Sequence, residues 1–327
     1  MFLAERIPFR WAGRDAVDIA RLAPFNCAIG DHIAPEDAAF LRRQGIEAIS
    51  LKDANATILE DAKWPQIQTG ANGDIASGPT GNPWIDANGY AIQAARAPTP
   101  DRPVWLLEDT PPRQFIGANQ EQLAVCDAAA YGGHWLPSPV STTWDTVVTA
   151  LRFFLDHRAW RSYQPVARVA VVSDLTAAHR VLALETLNLL ARLNVPFTIA
   201  RTPPSGAAMV LDIDKQPADM DAWELATETH AKLGRRNDVF RLWNGSSLIG
   251  YPCAPADGSS LLLQLINYSA TLPGESITAG VPGPFRSARI FTLDRPAGAP
   301  VELHRTRDSV EVYLPPFAVY AAIEFVR

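Results

Sequence analysis

Residues 1–163 alternate short apolar runs with stretches in which apolar positions recur every three or four residues. The runs at residues 26–31, 46–51, 56–59, 103–107 and 134–136 have the length and composition of buried strands. Residues 35–44 carry helical spacing that Gly45 ends. Strands interleaved with helices in this way imply parallel strands joined by crossover helices. Residues 69–83 hold too many Gly, Pro and Asn for regular structure and are expected to form a long loop, which in a compact domain is often functional. A helix is expected from about Trp84 to Ala97, stopped by Pro98 and Pro100.

Residues 146–160 give a better defined helix. Thr142 offers an N-cap with Asp145 three residues later, and Val147, Leu151, Phe154 and Leu155 line one face. A βαβ unit follows. Residues 166–172 are almost unbroken in their apolar character, as a strand covered on both faces requires. The helix from about 177 to 194 carries Val181, Leu184, Leu187 and Leu190, and residues 196–200 and 208–211 supply two more strands. Past residue 240 the pattern becomes all-β, with short strands at 261–267, 276–281, 288–293, 301–305, 310–314 and 319–326 separated by Gly, Pro and Asp. Residues 301–304 and 310–314 alternate at period two, with Arg307-Asp308 as the hairpin turn between them. An antiparallel β-sandwich is the economical expectation. The chain therefore reads as a multi-domain α/β protein divided into residues 1–163, 164–240 and 241–327.

Composition narrows the function classes without choosing one. The chain is 47% hydrophobic and 20% charged, an ordinary globular balance, and its net charge of −6 is spread rather than blocked. That gives no electrostatic footprint for nucleic acid or an anionic membrane. No apolar run approaches the roughly 20 residues of a membrane span. No basic-then-apolar leader opens the sequence, so a cytoplasmic protein is expected, with export from a trimmed precursor left open. Cys27, Cys126 and Cys253 lie far apart and form neither a disulfide framework nor a CxxC metal spacing.

With the parts in this order, three segments carry a resemblance: Asn82-Pro83-Trp84-Ile85-Asp86-Ala87-Asn88-Gly89-Tyr90, Arg235-Arg236-Asn237-Asp238, and Leu314-Pro315-Pro316-Phe317-Ala318-Val319-Tyr320. The chain resembles bacterial glycoside-hydrolase-like proteins of β-galactosidase-type domain order. In these a (β/α)8 barrel precedes a glutamine-amidotransferase-like α/β unit and a β-sandwich. The resemblance implies a TIM-barrel-like domain, a small flavodoxin-like α/β unit, a C-terminal sandwich and a carbohydrate ligand. A full barrel takes about 250 residues, so within residues 1–163 it must be abbreviated. The middle unit has no cysteine nucleophile after a strand, so amidotransferase chemistry is not expected from it.

Glycoside hydrolysis needs two carboxyl groups flanking the scissile bond, and barrels place such groups at the C-terminal ends of strands. That criterion selects Asp31, Asp53, Glu60 or Asp61, and Glu108 or Asp109. Glu60 and Glu108 directly follow apolar runs and are the expected acid/base and nucleophile pair, although strand-end carboxylates also serve as solvated loop residues or helix caps. Asp31, Lys52, Asp86 and Asp109 are candidate substrate contacts. Asp86 has a competing role as a first-turn helix acid, and Lys52 as a surface lysine. Seven tryptophans precede residue 165, and Trp64 and Trp84 flank the Gly-rich loop as candidate platforms for a sugar ring.

Other chemistries lack support. The histidines show no HxH or HExxH spacing, so no metal is expected. No GxSxG elbow occurs. The turn at Ser173-Asp174-Leu175-Thr176 has no glycine to admit a pyrophosphate, and no cofactor is expected. A glycosidase is the leading reading. A non-catalytic carbohydrate-binding or scaffold protein and another sugar-processing enzyme such as an isomerase are the alternatives, and a homo-oligomer is left open.

Overall fold

A computed structural model describes residues 6–53, 120–130, 133–136, 144–173, 178–200, 202–245, 248–267 and 277–327, together with the strand segments 57–60, 67–69, 75–77, 84–85, 91–92 and 104–107. It is a mixed α/β structure of several sheets.

The chain opens with β1 (Pro8–Arg10), α1 (Ala16–Ala20), β2 (Cys27–Gly30), α2 (Pro35–Arg43) and β3 (Glu47–Ser50), a parallel sheet in the order β1-β2-β3. Helix α2 begins with Pro35, carries Glu36 and Asp37 in its first turn and Arg42 and Arg43 in its last, so its charges complement the helix dipole. Gly45, at φ +76°, turns the chain out of the helix into β3 in a conformation a side chain would strain.

A second parallel sheet, of order β10-β9-β4, is built from β4 (Thr57–Glu60), β9 (Val104–Leu107) and β10 (Gly133–Leu136). Between β4 and β9 lie two antiparallel pairs, β5 (Ile67–Thr69) with β6 (Ile75–Ser77) and β7 (Trp84–Ile85) with β8 (Ala91–Ile92). Helices α3 (Gln120–Ala130) and α4 (Trp144–Asp156) pack on each other, and α3 packs on β10. Strand β1 lies beside β10. Alternation sorts the side chains: Cys27, Ile29, Ile49 and Leu136 form one small buried cluster, whereas Phe9, Ala28 and Trp135 join the main core. Strand β2 is thus covered on both faces, which is why it reads as a continuous apolar run.

The next segment holds β11 (Gln164–Pro165), β12 (Val169–Val172), α5 (Arg180–Arg192), β13 (Phe197–Ala200), β14 (Met209–Asp212) and α6 (Ala222–Leu233). Strand β12 is central, with β13 and β14 parallel on either side. Helix α6 starts at Asp221, whose carboxylate accepts from the amides of Trp223 at 2.7 Å and Glu224 at 3.2 Å.

The remainder is antiparallel. Strands β15 (Arg241–Trp243), β18 (Thr278–Pro282), β21 (His304–Arg305) and β22 (Ser309–Tyr313) form a sheet of order β15-β18-β22-β21. Strands β16 (Leu248–Ala254), β17 (Ser260–Asn267), β19 (Ser287–Thr292), β20 (Arg295–Val301) and β23 (Tyr320–Val326) join β11 in a sheet of order β11-β16-β17-β23-β19-β20. Period two divides β17 cleanly. Leu261, Leu263 and Leu265 face a core shared with the four-stranded sheet, while Leu262 and Ile266 face the main core beneath the helices. The larger sheet is therefore a middle layer. One edge is taken by β11, and the other strand at the edge, β20, carries Pro296 and Pro300.

Two expectations are corrected. Residues 84–85 and 91–92 form a strand pair, not the start of a helix running to residue 97. The intervening Asn88-Gly89 is a strong hairpin signal, and it outweighs the helical spacing. Likewise residues 67–69 and 75–77 pair inside the stretch expected to lack regular structure, around a segment containing Asn72-Gly73. The expected 301–305 strand is divided between the end of β20 and β21. The hairpin across Arg307-Asp308 forms as expected, with His304 opposite Glu311.

Candidate functional site

The two ends of the first parallel sheet differ in how their polar groups are used. At the N-terminal end, Arg6 grips Glu47 with two bonds of 2.9 Å, the Ile7 amide donates to Asn26 Oδ1 at 2.7 Å, and the Glu47 amide donates to Asn26 O at 2.8 Å. The Arg6–Glu47 pair is largely solvent-exposed, so its contribution is about 0–1 kcal/mol. Its role is to tie the ends of strands together.

At the C-terminal end the pattern reverses. Trp11 follows β1, its amide donating to Ile29 O at 2.7 Å, and its half-buried ring packs on the main core. Asp31 and His32 follow β2. Lys52 and Asp53 stand in a single 3-10 turn at residues 51–53 after β3, where the Lys52 amide donates to Ser50 Oγ at 3.2 Å. The side chains of Asp31, His32, Lys52 and Asp53 are exposed, and among the described residues none has a hydrogen-bonding or charged partner. The register places Gly30 opposite Ser50, so Asp31 and the 51–53 turn emerge at one edge.

The second parallel sheet brings its ends to the same side. Leu136, the last residue of β10, packs with Ile29 and Ile49 near the ends of β2 and β3. Strands β4, β9 and β10 run in parallel register, with Glu60 opposite Leu107 and Leu107 opposite Leu136. Glu60 is thus the terminal residue of β4, and Glu108 directly follows the terminal residue of β9 in the chain.

Of the residues selected from sequence, Asp31 and Lys52 lie together at this edge, and Glu60 ends a strand of the neighbouring sheet. Trp84 opens β7. Glu108, Asp109, Trp64 and Asp86 lie outside the described residues. Trp11 was missed, because a strand of three residues leaves no period to read. Among the described residues, no group of three or more His, Cys, Asp or Glu side chains is placed to hold a metal ion. None of the described helices is long and apolar enough to cross a membrane.

Comparison with known proteins gives a likeness of fold. No protein-family model matches the chain, and no curated protein matches it at a significant level. Among solved structures, α-L-fucosidase isoenzyme 2 from Paenibacillus thiaminolyticus superimposes with a TM-score of 0.53 at 9% identity, over 95% of this chain and 79% of that one. A rhamnosidase from Novosphingobium sp. PP1Y gives a TM-score of 0.43 at 10% identity, over 89% of this chain and 38% of that one. The chain has a glycosidase-like fold.

Proposed function

We propose that this protein hydrolyses a glycosidic bond with a pair of carboxylates at the C-terminal edge of its parallel strands, Glu60 and Glu108. The observation that carries this reading is the β4–β9 register, which sets the last residue of one strand beside the residue preceding Glu108 on the next. One carboxylic acid gives its proton to the departing glycosidic oxygen as the C1–O bond breaks, and the other carboxylate bonds to C1. Water then attacks C1, releases that carboxylate and returns a proton to the first group, so acid and base are both regenerated.

Asp31 and Lys52 contact sugar hydroxyls in this reading, joined by Asp86 and Asp109, with Trp64, Trp84 and Trp11 offering ring faces. The two parallel sheets are arcs of one abbreviated barrel, order β3-β2-β1-β10-β9-β4. The β12 sheet is the small flavodoxin-like unit, and the two antiparallel sheets are a sandwich, with divisions near residues 163 and 240. The likeness of fold to a fucosidase supports this assignment of parts.

The test is turnover of a panel of aryl glycosides, α-L-fucoside included, by the native chain and by Glu60→Gln and Glu108→Gln. Loss of about 10²–10⁴-fold in kcat is expected for each. Unchanged activity in both variants places the chemistry elsewhere. A native chain that binds oligosaccharide without turning over any aryl glycoside supports a carbohydrate-binding protein on a glycosidase fold instead.

A further inference from the structure

The outer face of the four-stranded sheet carries features that nothing in the strand-end site uses. On this sheet Leu242, Ala279, Val281, Val310 and Val312 turn inward to the shared core. By alternation Arg241, Trp243, Gly280, Pro282 and Ser309 turn outward. Together with the turn at residues 235–237 and the hairpin tip Arg307-Asp308, they line a cleft of about 600 Å³. That volume is of the size that small-molecule sites occupy, about 300–1,000 Å³.

Its chemistry is specific. Four arginines (235, 236, 241 and 307) face two aspartates (238 and 308), a net charge of +2 on a chain whose net charge is −6. Arg241 is held by Asp238 at 2.7 Å and by the Arg235 carbonyl. The guanidinium groups of Arg235, Arg236 and Arg307 have no carboxylate partner among the described residues. Trp243 is an aromatic wall, 40% exposed although apolar. Gly280 fixes its position: a Cβ there would stand 2.9 Å from Trp243 Cζ3, so only the bare backbone of β18 admits the indole. Glu311 flanks Gly280 from β22, which leaves a charge of +1 when it is counted with the lining, and its carboxylate can accept from hydroxyl groups.

We infer that this cleft is a second, non-catalytic binding site for an acidic oligosaccharide, its sugar ring stacked on Trp243 and its carboxylate or sulfate held by Arg235, Arg236 and Arg307. Planar guanidinium groups bind such anions through paired hydrogen bonds, which a point charge does not match. The polar lining favours a hydroxylated ligand over an apolar one, and a long polyanion such as nucleic acid is disfavoured by the acidic remainder of the surface. The inference does not rest on Glu60 or Glu108, since no residue of the cleft comes from the parallel strands.

The test is titration calorimetry on the full chain with trigalacturonate, its methyl ester, a sulfated trisaccharide and a single-stranded DNA oligonucleotide. Trigalacturonate or the sulfated sugar should bind, weakening as salt rises, and the ester should bind at least tenfold less tightly. Trp243→Ala should reduce affinity at least tenfold, and Arg307→Gln, at an exposed turn position, at least fivefold. Gly280→Ala should weaken binding by displacing the indole. Binding should survive Glu60→Gln, which separates this site from the proposed catalytic pair. Absence of saturable binding to either acidic sugar at millimolar concentration overturns the inference, as do equal affinity for the ester, tighter binding of DNA, or unchanged affinity in both Trp243→Ala and Arg307→Gln.

Discussion

The Tyr320 hydroxyl donates to Gln264 Oε1 at 2.7 Å, deep between the six-stranded sheet and the helices over it. The same amide donates through Nε2 to Ala130 O at the end of α3, at 3.2 Å. One buried side chain therefore joins β17, β23 and the helical layer. Phe153 and Phe154 of α4 pack edge-on against the Tyr320 ring, at 5.5 and 5.0 Å. Because all three groups are buried, deleting one strands the others without water. Tyr320→Phe and Gln264→Leu should each lower stability by about 1–3 kcal/mol. In urea unfolding, the double variant should cost less than the sum of the two. Strict additivity would show that the bond carries nothing.

Alkaline pH should loosen the fold. Burial pushes the thiols of Cys27 and Cys253 from their ordinary value near 9 to about 12, and raises Cys126 and Tyr320 as well. A thiol that keeps its proton in the folded chain but loses it in the unfolded one stabilises fully below pH 9. That contribution falls away between pH 9 and 12, by about 1 kcal/mol per pH unit for each thiol. Cys27→Ala should flatten the fall in stability above pH 9. An unaltered slope would refute the assignment.

Gly250 is a packing glycine. A Cβ there would lie 2.4 Å from Phe240 Cε2 and Cζ, in the core between the two antiparallel sheets. Gly250→Ala should cost about 1–3 kcal/mol through overpacking. Adding Phe240→Leu should recover part of the loss, and thermal melts of the three variants would decide it.

Asn194, at φ +52°, ends the turn after α5 and bridges to β16. Its Nδ2 donates to Leu248 O at 3.2 Å, and its Oδ1 accepts from the Gly250 amide at 2.8 Å. Asn194→Gly loses the bridge but keeps the left-handed backbone. Asn194→Ala loses both, so it should be the less stable of the two, by about 1 kcal/mol. Equal melting of the variants would argue against backbone strain at this position.

Asp31 and Lys52 should behave in the opposite way to these core positions. With no partner among the described residues, Asp31→Asn and Lys52→Met should change stability by no more than about 0.5 kcal/mol. In the proposed function they should nonetheless raise KM. A large loss of stability in either variant would mark it as structural.

How much of this was legible depended on length and period. The strands at β2, β12, β17 and β23 were visible as apolar runs because both of their faces are buried. Helix α6 left its own signals, Asp221 before it and Gly234 after it, yet was passed over because its buried Leu225, Ala226 and Leu233 sit among polar neighbours. Strand β1 and the two short pairs at 67–77 and 84–92 were too brief for a period to emerge, and there the Asn-Gly dipeptides were the better guide. For the site, strand ends pointed to Asp31, Lys52 and Glu60. The Arg–Trp cleft could not be read that way, since it joins residues 235–243 to residues 280–282 and 307–309 through antiparallel pairings that sequence spacing does not encode.

The two margins of the six-stranded sheet also bear on how copies of this protein meet. Exposed strand margins are templates for another chain, because their unpaired N–H and C=O groups invite a further strand. Here β11 occupies one margin, its Gln164 opposite Ala254. At the other, two of the seven residues of β20 are prolines, which have no N–H to offer, and Arg295 adds exposed charge. Runaway strand-to-strand stacking through this sheet is thereby discouraged at both ends.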